Sequence, residues 1–175
     1  MDYFKLAGEA IMEHTRLFAG AFLRWENEVI LIKRGLHKKI APGLWSGIGG
    51  HIEQHEMNTP KLACLREIEE ETGIRAAQIK GLDMRYFILR KSAETLDSIY
   101  YFVGELQKKC SLAQTDEGVL HWVTLEEGRS LEMTACIKKV YSHWIKNLDS
   151  ETLHCWVDST IPMLNGGENV PILLF

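Results

Sequence analysis

Thr59-Pro60-Lys61-Leu62-Ala63-Cys64-Leu65-Arg66-Glu67-Ile68-Glu69-Glu70-Glu71-Thr72-Gly73-Ile74 is the stretch that decides how this chain is read. Thr59 suits a helix N-cap, Pro60 the first helical position, and Gly73 the left-handed residue that closes a helix. At roughly 100° per residue, Glu67, Glu70 and Glu71 project within about 100° of one another, while Glu69 points nearly opposite. Like charges at these spacings repel by roughly a few tenths of a kcal/mol each, and the negative helix end adds to the cost. A bound cation reverses that sign, because converging carboxylates become ligands. The plain alternative is a solvated acidic helix end, since Glu is a good helix former and exposed charge runs are common.

The residues just upstream favour the cation. Gly43-Leu44-Trp45-Ser46-Gly47-Ile48-Gly49-Gly50-His51-Ile52-Glu53 is a glycine-dense turn that leads into the helix. It permits close backbone approach and lets carbonyl or amide groups face a ligand. A tight loop, a helix and carboxylates on one helix face together suit a hard metal acting on phosphate.

Gly50, then Glu56, then Arg66-Glu67-Ile68-Glu69-Glu70-Glu71-Thr72-Gly73-Ile74 resembles the signature of the Nudix hydrolases. The second half of that signature matches at every specified position, and Pro42-Gly43-Leu44-Trp45 before it is also similar to the family. Met57 to Leu65 is two residues longer than the family spacing, and Ile48 stands where many members carry Pro. Thr59-Pro60 still opens the helix, so the extra pair is expected in the loop at Met57-Asn58, with the helix register kept. The place of Glu56 relative to the helix depends on that loop and stays open. The resemblance implies an α/β/α sandwich with a mixed β-sheet and a Mg2+ or Mn2+ cofactor. It implies Glu67, Glu70 and Glu71 as metal ligands, joined by the backbone carbonyl of Gly49.

The family often adds an acid from a loop beyond the central strands, as a ligand or general base. Glu117, in Asp116-Glu117-Gly118, is the candidate, with Asp116 as its rival; a turn with solvated acids is the structural alternative. Glu67 or Glu117 is the expected acceptor of the proton from water. Arg66 completes the catalytic set, either fixing a neighbouring carboxylate or touching phosphate. The first role is expected, because a pre-positioned ligand needs support.

Composition agrees with a compact enzyme. The 175 residues are 46% hydrophobic and 25% charged, which fits a single domain over residues 1–175 with a sizeable core. A formal net charge of −4 lacks the basic bias of a nucleic-acid-coating protein. Cys64, Cys110, Cys136 and Cys155 are widely spaced, so free thiols in a reducing, cytoplasmic setting are expected. No apolar run approaches the ~20 residues of a membrane span, and Met1-Asp2-Tyr3-Phe4-Lys5 lacks an export pattern.

Strands and helices alternate along the chain. Thr15 to Leu23 and Val29 to Arg34 predict a hairpin turned at Trp25-Glu26-Asn27-Glu28. Met84 to Arg90 and Ile99 to Leu106 predict a second strand pair, and Leu120 to Val123 a short strand. Met133, Cys136, Ile137, Val140, Tyr141, Trp144, Ile145 and Leu148 follow the spacing of a helix packed on the sheet. Residues 1–14 read as a short helix or an added strand. The tail from Thr152 reads as two strands about Asn165-Gly166-Gly167-Glu168-Asn169, ending in an apolar Pro171-Ile172-Leu173-Leu174-Phe175 that docks on its own sheet or forms a homodimer contact.

His51 and His55 lie in a glycine loop without a completing Cys or His set, so they do not define a zinc site. Lys33, Arg34, Lys38, Lys39 and Arg90 could supply positive charge to phosphate, though such residues are usually solvated surface. These features imply a divalent-metal-dependent pyrophosphohydrolase that cleaves a nucleoside diphosphate linked to another group, by water attack on phosphorus. Trp122 to Thr134 bears a short resemblance to members acting on oxidised purine nucleoside triphosphates, but the substrate pocket lies outside the motif. The alternative is a non-catalytic nucleotide-sensing or protein-interaction module on the same fold.

Overall fold

The computed structural model describes residues 15–91, 95–112 and 114–159. The expectations for residues 1–14 and for the end of the tail, Pro171 to Phe175 included, lie outside the described residues.

Strand β1 (Thr15–Trp25) turns through Glu26 and Asn27 into β2 (Glu28–Arg34). The two pair only at the turn, through Arg24 with Val29 and Trp25 with Glu28. They then part. Each takes a new neighbour from the glycine-dense segment: β3 (Trp45–Ser46) pairs with β2, and β4 (Ile48–His51) pairs antiparallel with β1. The segment read from sequence as a turn is thus two short strands. Its glycines weaken the strand signal while leaving room for neighbouring side chains.

Helix α1 (Pro60–Thr72) follows a short 3-10 turn at Gln54–Glu56, with Met57 and Asn58 between them. The extra pair therefore sits in the loop. Thr59 accepts the first backbone bonds of α1 from Leu62 and Ala63, and Gly73 closes the helix at φ 72°. Ala63, Cys64 and Ile68 anchor the inner face of α1 in the core. Burying one such aliphatic side chain yields about 1.5–3 kcal/mol, which outweighs the repulsion among the outer glutamates.

Strands β5 (Ile79–Lys91) and β6 (Leu96–Leu106) pair antiparallel, and β6 runs parallel to β1. β7 (Gln114–Thr115) and β8 (Gly118–Thr124) extend the other side through β2, and β9 (His154–Ser159) adds parallel to β5. Among the described residues the sheet has nine strands, with the main order β7-β8-β2-β1-β6-β5-β9. The first tail strand is present, but the expected helix is shorter than its periodicity suggested. A turn of helix α2 (Leu125–Gly128) precedes α3 (Ala135–Trp144), and Met133 instead bridges to Trp45.

Side-chain alternation divides the core between the two faces. Ala19, Ala21, Leu23 and Phe102 pack under α1, whereas Phe22, Tyr101 and Val103 pack under α3 with Val140, Tyr141 and Trp144. The result is an α/β/α sandwich on a mixed sheet. None of its helices is long and apolar enough to cross a membrane among the described residues. No disulfide joins Cys64, Cys110, Cys136 or Cys155 among the described residues.

Candidate active site

The parting of β1 and β2 opens a cavity of about 450 Å³. β4 forms its floor, α1 one wall, and the loop before β8 the opposite wall. Glu67, Glu71, Arg66 and Glu117 line it, together with Arg34 and Lys38.

Arg66 organises the acidic wall. Its Nε and Nη2 each donate to the Glu56 carboxylate at 2.9 Å, and Nη2 also reaches the His51 carbonyl at 3.0 Å. Nη1 donates to Glu67 at 2.9 Å and to Glu70 at 3.0 Å. These five contacts occupy all five N–H groups of a guanidinium, so none is left for a phosphate in this arrangement. Glu56, whose place was open, is buried and fixed on Arg66. The hydrogen bond from Arg66 lowers its pKa from 4.5 to about 2, against a smaller opposing effect of burial. The same pairing raises the Arg66 pKa.

The three helix carboxylates differ. Glu71 is buried, and one of its oxygens accepts the Gly49 N–H at 3.1 Å. Burial pushes its pKa up to about 8, partly offset by that hydrogen bond. Burial also raises Glu67, with Arg66 opposing. Glu70 is exposed, lies outside the cavity lining, and rests on Arg66. Glu69, on the opposite side, faces Arg75 at 3.5 Å. Glu67 and Glu70 thus both rest on Arg66 and Glu71 on the Gly49 N–H, and no three His, Cys, Asp or Glu side chains among the described residues form a ready metal cage. The physical reason is Arg66, whose positive charge draws Glu67 and Glu70 to itself.

The residues present nevertheless fit a hard cation. A buried carboxyl whose ordinary charge is suppressed by desolvation regains that charge when a divalent ion arrives. Gly50 passes so close to Glu67 that a Cβ there would lie 2.6 Å from its carboxylate oxygen. Gly49 has φ 144°, and a Cβ would lie 2.2 Å from the Ala19 carbonyl. Gly50 thus holds the β4 backbone against Glu67, and Gly49 holds it against β1, as a glycine requirement predicts.

Glu117 faces this wall from the loop between β7 and β8. Lys38 holds its carboxylate at 2.6 Å and Arg34 at 3.3 Å. Asp116 lies outside the cavity lining, and its carbonyl meets His37. Lys39 and Arg90 also line the cavity, whereas Lys33 lies over the Trp45 ring. His51 packs on Phe18 at a 4.4 Å centroid separation, and His55 lies beside Glu53.

Sequence reading missed Tyr101 and Thr134, which also line the cavity. Their proximity comes from strand register and from the Trp45–Met133 bridge, which no local pattern signals.

Fold and site together define an α/β sandwich whose split hairpin carries an acidic helix beside basic side chains. The family model described as NUDIX domain matches residues 14–144, and the chain belongs to that family. An 8-oxo-dGTP diphosphatase of Proteus vulgaris is 38% identical over 65 residues, a match covering 37% of this chain and 55% of the relative. A mutator MutT protein from Bacillus halodurans superposes with TM-score 0.64 at 21% identity, covering 84% of this chain and 91% of that one. An Ap4A hydrolase from C. elegans gives TM-score 0.61 at 20% identity, covering 75% and 97% respectively.

Proposed function

We propose that this protein is a divalent-metal-dependent pyrophosphohydrolase, cleaving a nucleoside diphosphate linked to another moiety by water attack on phosphorus. The observation that carries the reading is the facing of two unlike walls across one cavity: Glu67 and Glu71 on α1, and Glu117 with Lys38 and Arg34 opposite. Glu67, Glu70, Glu71, Glu117 and the Gly49 carbonyl are the proposed holders of magnesium or manganese. When bound, such an ion neutralises phosphate oxygens and lowers the pKa of its water.

The chain's own residues supply position and proton traffic. Arg66 fixes Glu67 and, through Glu56, ties the helix to the β4 segment. Glu67 accepts the proton of the attacking water at a carboxylate oxygen, a role favoured by its raised pKa. Arg34 and Lys38 hold Glu117 and present cationic charge to the departing phosphate side. The substrate is a small nucleotide; the oxidised purine nucleotide implied by the Proteus vulgaris relative and the dinucleotide implied by the C. elegans one are both candidates.

The test is a panel of nucleoside triphosphates, dinucleotide polyphosphates and nucleotide sugars, assayed with magnesium for released phosphate or nucleotide. Turnover of at least one compound, abolished by a chelator and restored by magnesium, is expected. Undiminished turnover after complete chelation contradicts the metal role; no turnover of any compound contradicts the activity.

A further inference from the structure

Two side-chain oxygens in the described structure are buried without a hydrogen-bond partner, the Tyr101 hydroxyl and the Thr134 hydroxyl. Both residues line the same cavity. A buried hydroxyl left unpaired costs about 1–3 kcal/mol, so two on residues lining one cavity call for an explanation.

The packing around Tyr101 is shaped to admit it. Its side chain leaves β6 and crosses Gly20 of β1 to end against Gly47, between β3 and β4. A Cβ on Gly47 would lie 2.0 Å from the Tyr101 oxygen, and one on Gly20 would lie 2.8 Å from its ring. The phenol lies near the Gly47 amide without hydrogen-bonding geometry. Two glycines thus make room for a polar atom that the protein leaves unpaired. Tyr101 is only 3% exposed, and burial keeps its phenol protonated and able to donate. Thr134 occupies the N-cap of α3, yet its side chain makes no capping bond. Its oxygen is therefore withheld from the partner that such a residue usually takes.

The surroundings indicate what these hydroxyls meet. Phe18, Trp45, Ile99 and Ile137 line this cavity, and the Phe22 ring lies 4.7 Å from that of Tyr101. A desolvated setting of this kind favours an uncharged planar group over a phosphate anion, which has cationic partners at Arg34 and Lys38.

We propose that Tyr101, with Thr134 as a second arm, selects the nucleobase by hydrogen bonding to its polar edge. This rests on the nucleotide-hydrolase reading and adds the specificity-determining residue to it. The hydroxyls discriminate because a base lacking the matching group leaves them unpaired, whereas the matching base satisfies them.

The experiment titrates unphosphorylated adenosine, guanosine, cytidine and uridine into wild-type protein and Tyr101→Phe, by calorimetry without metal. The unliganded Tm of both is measured alongside. Wild type is expected to prefer one nucleoside, and Tyr101→Phe to narrow that preference at least about tenfold, with an unchanged or higher Tm. Thr134→Val is expected to narrow it as well. Retention of the wild-type Kd ratios in Tyr101→Phe overturns the proposal, as does absence of nucleoside binding by wild type. A lower Tm in Tyr101→Phe also overturns it, because it shows that the hydroxyl already had a partner. Selective nucleoside binding without any magnesium-dependent turnover would defeat the hydrolase reading alone.

Discussion

Two clusters built from guanidinium and carboxylate groups border the cavity, and their proportions are opposite. Around Arg66 one guanidinium meets three carboxylates, those of Glu56, Glu67 and Glu70. Around Asp97 one carboxylate, 1% exposed, meets two guanidiniums, those of Arg16 and Arg90. With all groups ionised, the first set carries a surplus of two negative charges and the second a surplus of one positive charge. Asp97 is closed: four N–H groups from its two partners converge on its oxygens. The Arg66 cluster is open, because Glu67 also faces the cavity beside buried Glu71. The same chemistry thus ties together the ends of three interior strands in one place and leaves an unbalanced, cation-seeking wall in the other.

The largest expected effect breaks the open cluster. Glu67→Gln should lower kcat by about 10²–10⁴-fold in steady-state assays at saturating magnesium. Glu70→Gln should lower it by at least ~10²-fold despite its surface position, whereas Glu69→Gln, one residue away on the other side, should change it by less than about threefold. Equal activity in Glu70→Gln would confine that residue to pairing with Arg66.

Glu56 gives the next effect. It touches Arg66 rather than the cavity ligands, so Glu56→Gln should lower kcat by about 10–100-fold with little change in KM. An unchanged kcat would mean that Arg66 holds its position without it.

The closed cluster should respond in stability instead. Asp97→Asn should cost about 1.5–3 kcal/mol in denaturant unfolding, while reducing turnover far less than Glu67→Gln does. A loss of turnover comparable to that of Glu67→Gln would erase the contrast between the clusters.

The smallest effect is on acid stability. Burial alone would raise the Asp97 pKa, but Arg16 and Arg90 together outweigh it and hold the group below its ordinary value. Glu56 is likewise depressed, from 4.5 to about 2. A depressed carboxylate contributes stability above its unfolded pKa and loses it as pH falls through the folded one. Tm should therefore decline progressively between pH 4.5 and about 2, and more shallowly in Glu56→Gln. Parallel profiles for the two proteins would remove Glu56 from the acid transition.

The sequence made α1 legible because its signals are local. Thr59, Pro60 and Gly73 mark its ends, and the helical period separates Glu67 and Glu71 from Glu69. The hairpin at Glu26-Asn27 and the strand pair β5–β6 were readable for the same reason. β3 and β4 were not, since three of the six residues from Trp45 to Gly50 are glycine and pairing to β1 and β2 supplies their order. The capping box joining Thr124 and Glu127 marks the start of α2, a helix too short to show an apolar period. The site was half legible. Glu67 and Glu71 share a helix, but Arg34 and Lys38 meet Glu117 across 83 and 79 residues of chain. Tyr101 reaches Gly47 only because β4 inserts beside β1 where the hairpin splits. Such contacts depend on register, which local composition does not encode.

Calorimetric titration of Mn2+ into wild type, Glu67→Gln and Glu71→Gln, with Asp97→Asn as the control, tests the open-cluster account most directly. Uptake by wild type and Asp97→Asn, weakened at least tenfold in both glutamate variants, is the predicted result. Equal uptake by all four proteins, or none by wild type, would contradict it.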